Sequence, residues 1–85
     1  MNDEKPILYI KQGCPYCVEA VEFFEEHDIA VRQVEVLSDP AAFEEMKRKS
    51  GQAKAPTLDW RGEILADFGV DELQEFLAAR NVKAE

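Results

Sequence analysis

The sequence predicts an α/β fold with the element order β-α-β-α-β-β-α. Three observations carry that reading. Short apolar runs rich in Ile and Val alternate with segments of helical period. Two proline-led starts, Cys14-Pro15 and Asp39-Pro40, suit helix openings, because the first helical position has no use for the N–H that proline lacks. Arg61-Gly62 separates two extended runs and reads as a hairpin turn. Strands joined through a helix imply a parallel pair with a right-handed crossover, and the hairpin adds an antiparallel pair.

Residues 6–11 form the first expected strand, with Pro6 leading into Ile7-Leu8-Tyr9-Ile10. Gln12-Gly13 is the following turn. A helix is expected from Pro15 to about His27, with Cys17, Val21 and Phe24 as its inner stripe and Ala20 beside it. Glu19, Glu22, Glu25 and Glu26 fall on the wet side. His27 is read as a surface residue in the last turn, with no catalytic role. Residues 30–36, Ala-Val-Arg-Gln-Val-Glu-Val, form a second strand on their β-branched content, although Val31 is out of phase with Val34 and Val36.

Asp39 is the expected N-cap of the second helix, Pro40 its first residue and Gly51 its stop. Phe43, Met46 and Lys47 lie on one side of it. Gln52 to Pro56 is a loop, in which the proline pushes Ala55 towards extended geometry. Thr57 to Trp60 and Glu63 to Asp67 make the hairpin, and Trp60 is read as hairpin packing. The last helix opens at Gly69-Val70-Asp71-Glu72 and shows Val70, Leu73, Phe76 and Leu77 on one face, with Arg80 suiting its C-terminal dipole. Residues 81–85 read as a frayed tail.

A chain of 85 residues is expected to be one domain, 1–85, burying about 60–65% of its unfolded surface. The net charge of −8 argues against nucleic acid and against anionic membrane surfaces as partners. No apolar run approaches a membrane span, and Met1 to Pro6 lacks the apolar core of a signal peptide. The expected compartment is therefore cytoplasmic. Lys47, Arg48, Lys49 and Lys54 gather four of the ten basic residues in one stretch. They are either a solvated helix end or a landing site for an anionic ligand.

The chemistry centres on Cys14-Pro15-Tyr16-Cys17, which holds both cysteines of the chain. Disulfide exchange needs a thiolate, and the unpaired N–H groups and dipole of a helix N-terminus favour negative charge. Pro15 at the first helical position puts Cys14 at the N-cap and Cys17 about one turn in. Cys14 is then the exposed, attacking thiol and Cys17 the resolving thiol, with Lys11 adding positive potential nearby. A structural bridge closing so short a loop would stabilise by only about 2 kcal/mol. A closed zinc site usually needs four Cys or His ligands. The one remaining candidate, His27, lies about 15 Å further along the helix, so one chain cannot complete such a site, whereas two could.

At this point the chain resembles a glutaredoxin, the small glutathione-dependent branch of the thioredoxin fold. Four features in the family's order carry the resemblance: Lys11-Gln12-Gly13-Cys14-Pro15-Tyr16-Cys17, Ser50-Gly51-Gln52, Ala55-Pro56, and Phe68-Gly69-Val70-Asp71. The resemblance implies a thioredoxin-like four-stranded mixed sheet, order 2-1-3-4, flanked by three helices, two on one face and one on the other, with a cis Pro56 beside the cysteines. It also implies a glutathione site. Lys11 and Gln52 would meet the glycine carboxylate, and the backbone of Ala55 before Pro56 would pair with the cysteine moiety. Val70 and Asp71 would hold the γ-glutamyl end, and Tyr16 would line the groove. Phe68 stands where the family has a glycine, and Lys54-Ala55 where it has Thr-Val.

The resulting expectation is a monomeric, glutathione-dependent thiol–disulfide oxidoreductase. It would act on glutathionylated and disulfide-containing proteins, with glutathione as co-substrate and no metal. Two alternatives stand beside it. One is a redoxin recharged by a thioredoxin reductase and donating electrons to a further reductase, suggested by Phe68. The other is an iron–sulfur carrier in which two chains share a cluster through Cys14 and glutathione thiols. Pro15 speaks against the latter, since cluster carriers of the family more often have glycine there.

Overall fold

The computed structural model describes residues 5–80. Its elements follow the expected order: β1 (Ile7–Ile10), α1 (Pro15–Glu26), β2 (Arg32–Glu35), α2 (Pro40–Ser50), β3 (Thr57–Trp60), β4 (Glu63–Ala66) and α3 (Val70–Ala78). The readings made for the N-terminal stretch 1–4 and the tail 81–85 lie outside the described residues. The four strands form one mixed sheet in the order β2-β1-β3-β4. β1 runs parallel to β2, with Ile10 opposite Glu35, and antiparallel to β3, with Leu8 opposite Leu58. β3 and β4 are the hairpin, closing with Trp60 opposite Glu63. Both turn residues, Arg61 and Gly62, have positive φ (54° and 101°), the backbone twist that suits a two-residue hairpin loop.

Successive strand residues face opposite sides of a sheet. Leu8 and Tyr9 are both fully buried, so both faces of β1 are covered. On Leu8's face, α1 and α3 contribute Ala20, Phe23, Phe24, Leu73 and Leu77, joined by Leu58 and Phe68. On Tyr9's face, α2 contributes Ala42 and Met46, joined by Val36. The offset of Val31 has its explanation here. Val31 packs into the α1/α3 cluster, while Val34 and Val36 pack on the α2 side. The regular strand is shorter than 30–36, because Val31 precedes it and Val36 continues past it on one bond, its N–H to the Ile10 carbonyl at 2.9 Å.

The helix ends form as their residues dictate. Asp39 accepts the Ala42 N–H at 3.2 Å, and Gly51 adopts φ 75° to end α2, a left-handed conformation that favours glycine. The buried side of α2 is Ala42 and Met46, with Phe43 half-buried. Lys47 shares the side of Phe43 and is likewise only half-buried. Its ammonium lies 5.3 Å from the Phe43 ring centroid and pairs with Glu44 at 3.3 Å. Lys49 donates to Asp59 at 2.6 Å and to the Tyr9 hydroxyl at 2.9 Å, and Tyr9 donates to Glu45 at 2.8 Å. Of the basic stretch, Lys49 is thus spent on internal pairing, while Arg48 and Lys54 stay exposed.

His27 also departs from the surface reading. It is the C-terminal cap residue of α1 and half-buried, with its ring centroid 4.4 Å from that of Phe23 and its Nδ1 enclosed without a protein partner. Trp60 packs against the α1/α3 cluster as expected for a hairpin residue. Arg80 donates to the Phe76 carbonyl at 2.9 Å, which satisfies a free carbonyl at the end of α3, and pairs with Glu63.

Candidate functional site

The turn Gln12-Gly13, with Gly13 at φ 82°, delivers Cys14 to the N-terminus of α1. Cys14 is the N-cap in extended geometry (φ −96°, ψ 115°), with Pro15 following. Its sulfur accepts the Cys17 N–H at 3.3 Å, the bond that an N-cap oxygen would make at other helices. A serine-like capping role is thereby filled by a thiol, and a backbone donor is aimed at the sulfur. The Cys14 thiol in turn faces the Ala55 carbonyl at 3.8 Å.

Both cysteines are free thiols, Cys14 partly exposed and Cys17 only 2% exposed. Burial pushes the Cys17 thiol up to about 12, and the hydrogen bond with Cys14 acts in the same direction. The Lys11 N–H, 3.4 Å from the Cys17 sulfur, opposes this in part. At neutral pH the pair is therefore asymmetric, with an accessible outer sulfur and a protonated inner one.

The sheet order carries other predicted residues to this place. β3 lies beside β1, so the loop before β3 reaches the end of β1 where the cysteines begin. The Ala55–Pro56 bond in that loop is cis, and Pro56 is buried. The charge of Lys11 acts to lower the Cys17 thiol, though less than burial raises it. Its ammonium donates to the Ala53 carbonyl at 2.7 Å and lies 5.4 Å from the Phe43 ring centroid, tying β1 to the loop. Tyr16 is 59% exposed, and its ring lies beside Gly69 at the start of α3. Half-buried Val70 and exposed Asp71 follow in the first turn of that helix. The N-termini of α1 and α3 and the Ala53–Pro56 loop thus converge around Cys14.

Gln52 immediately precedes that loop. Its side-chain oxygen accepts the Lys54 N–H, and its Nε2 is enclosed without a protein partner.

Two features near the site escape a sequence reading. Phe68 is 3% exposed and sits in the α1/α3 core, so it anchors the chain just before Gly69. Glu72 accepts the Gly69 N–H at 2.6 Å. A glutamate three residues after an N-cap position is the available signal for this bond. Among the described residues, no three His, Cys, Asp or Glu side chains come together as a set of metal ligands.

A mixed sheet with a buried and a partly exposed thiol at one helix N-terminus, beside a cis proline, defines a dithiol protein of the thioredoxin fold. The glutaredoxin family model matches residues 7–65, and the chain belongs to that family. The chain is 27% identical over 70 residues to an uncharacterized glutaredoxin-like 8.6 kDa protein in the rubredoxin operon of Clostridium pasteurianum. That match covers 82% of this chain and 93% of the relative. Among solved structures, the thioredoxin-like protein BC3987 is similar with a TM-score of 0.78 and 30% identity, over 86% of this chain and all (100%) of that one. A buckwheat glutaredoxin in complex with glutathione shares the fold with a TM-score of 0.70 and 18% identity, over 91% of this chain and 71% of that one.

Proposed function

We propose that the protein is a glutathione-dependent thiol–disulfide oxidoreductase. The observation that carries the proposal is the asymmetric thiol pair at the start of α1, beside Ala55 and the cis Pro56. The Cys14 thiolate attacks one sulfur of a substrate disulfide. A Cys14–substrate disulfide forms, and the other sulfur leaves as a thiolate that takes up a proton. With a glutathionylated protein, the protein thiol leaves and glutathione stays on Cys14. A second glutathione thiolate then attacks that glutathione's sulfur, releasing oxidised glutathione and the Cys14 thiolate. With a protein disulfide, Cys17 loses its proton and attacks Cys14. The reduced protein departs, and two electrons have left the dithiol. Glutathione then restores the pair.

Glutathione is an extended peptide with two carboxylates and one amine. The Ala55 backbone beside Pro56, the side chains of Lys11, Tyr16 and Gln52, and the first turn of α3 at Val70 and Asp71 are the groups proposed to bind it. A helix N-terminus favours a carboxylate. A family member of the same fold forms a complex with glutathione, which supports the assignment.

One observation favours a second reading, recharging by a thioredoxin reductase. The Gly69 N–H at the start of α3 is already taken by the Glu72 carboxylate. That places a negative charge where the γ-glutamyl carboxylate would bind. The test is reduction of a small glutathione mixed disulfide with glutathione, glutathione reductase and NADPH, repeated with thioredoxin reductase and NADPH alone. Turnover in the first system alone supports glutathione dependence. Turnover in the second alone transfers the function to the second reading.

A further inference from the structure

A cleft on the molecule lies apart from the groove between Cys14, Ala55 and α3. It has a volume of about 630 Å³ and lies on the other side of β1, towards β2. Ile10, Val18 and Val21 supply its apolar wall, and the Cys17 sulfur-bearing residue lines its floor. None of Tyr16, Gln52, Ala55, Pro56, Val70 or Asp71 lines it. Val18 is 54% exposed, an apolar side chain that lines the cleft beside the exposed Glu19 and Glu22. A small protein gains nothing in stability from leaving such a surface open.

The rim of this cleft is acidic. Glu22 and Glu35 line it, and α1 continues with Glu25 and Glu26 and carries no basic residue. The one cation on the lining, Lys11, has its ammonium engaged by the Ala53 carbonyl. The Glu35 carboxylate is held in place by four donors. It accepts the Gln12 N–H at 2.9 Å, the Leu37 N–H at 3.1 Å, and the Ser38 N–H and hydroxyl at 2.9 and 2.7 Å. The Ser38 hydroxyl, chief among these, holds the Glu35 carboxyl below the ordinary carboxylate range, so it is ionised at neutral pH. The same carboxylate ties the turn carrying Cys14 to the segment after β2. An apolar slot with a fixed negative rim, one wall of which is the resolving cysteine, is complementary to one kind of occupant.

We propose that this cleft docks a protein redox partner through an apolar side chain flanked by Lys or Arg. The inference rests on the thiol–disulfide reading of Cys14 and Cys17. The partner's disulfide reaches Cys14 while its flanking segment lies along Val18, Val21 and Glu22. The acidic rim then selects among partners by charge, since complementary rim charges act chiefly on association rate and on rejection of wrong partners.

The test uses two synthetic disulfide-bonded peptides. Each carries a leucine near the cystine, flanked by lysines in one and by glutamates in the other. The full chain is expected to reduce the lysine peptide with a kcat/KM about 10-fold or more above that of the glutamate peptide. That ratio should collapse towards unity between about 0.1 M and about 1 M sodium chloride, as the Debye length falls from about 10 Å to about 3 Å. Glu22→Lys should lower the ratio at low salt, and Val18→Asp should raise KM for the lysine peptide. With Cys17→Ser, the trapped mixed disulfide with the lysine peptide should shift the amide resonances of Val18, Val21 and Glu22.

Equal reduction of both peptides, or resonance shifts confined to Ala55, Val70 and Asp71, overturns the docking site and leaves the redox reading standing. Reduction of neither peptide, nor of a small glutathione mixed disulfide, overturns the redox reading and the docking site with it.

Discussion

The two faces of the sheet treat their partly buried polar groups in opposite ways. On the α2 side, Tyr9, Glu45, Lys49 and Asp59 satisfy one another through bonds of 2.6 to 2.9 Å. Burial alone would raise the Asp59 carboxyl, but the Lys49 hydrogen bond and the Gly62 N–H outweigh it and hold it below the ordinary value of 3.8. Burial would likewise lower Lys49, and its bonds to Asp59 and Tyr9 hold it raised. Around the cysteines the partners lie 3.3 to 3.8 Å from sulfur, the reach of weak thiol hydrogen bonds. Burial of Cys17 is only partly offset there, and its thiol stays protonated. Charge that is fully matched gives a rigid support. A neutral thiol with only weak hydrogen-bond partners is free to change its bonding. The fold places the first kind beneath α2 and the second at the start of α1.

The strongest way to break this comparison is to remove one member from each side. Cys14→Ser should abolish thiol–disulfide turnover while leaving the thermal midpoint close to that of the wild type. Cys17→Ser should retain deglutathionylation and lose reduction of protein disulfides; loss of both would show that the two sulfurs have the wrong roles here. Lys49→Met should do the reverse. It strands Asp59 without its cation and is expected to cost about 2–3 kcal/mol in urea unfolding, with the turnover number kept. A double-mutant cycle with Asp59→Asn isolates the pair term, and a coupling near zero would show that the network contributes nothing specific.

The pH dependence of stability sharpens the contrast, because the two regions fail at opposite ends. The Cys17 thiol has a folded value of about 12 against an ordinary 9.0. The folded state therefore holds a proton that the unfolded chain releases, and stability falls as pH rises between those values. Asp59 behaves oppositely. Its contribution is complete above its ordinary value of 3.8 and is lost as pH falls through its lowered one. Unfolding midpoints measured across pH should show the alkaline loss reduced in Cys17→Ala and the acid loss reduced in Asp59→Asn. The smallest effect is local: Asp39→Ala removes the α2 cap and should cost about 1 kcal/mol, with turnover unaffected.

Much of this was legible in the residues. Cys14-Pro15 announces an N-cap and a first helical position, and Asp39-Pro40 does so again, because each signal is local. The β-α-β order and the hairpin follow from periodicity and turn chemistry. What was not legible depends on pairing across the sheet. Nothing near Lys49 in the chain says that Asp59 and Tyr9 will take its ammonium, so the basic stretch read as an open alternative. Val31 looked out of phase because a single strand pattern does not reveal that its residues serve two cores. Phe68 read only as a departure from the family pattern, and its place in the α1/α3 core was not legible. Glu35 read as one polar position in an alternating strand. Its four donors come from the preceding turn and the following segment, which only the parallel pairing of β1 with β2 brings together.

The two sulfurs are unequal: the outer one is partly exposed and the inner one is held protonated by burial. The most direct measurement is alkylation of the reduced, folded protein with iodoacetamide at about pH 7, with each cysteine quantified by peptide mapping and the protocol repeated in denaturant. The account predicts labelling of Cys14 with Cys17 left unmodified until the chain is unfolded. Labelling of Cys17 at a rate comparable to Cys14 in the folded protein would contradict it.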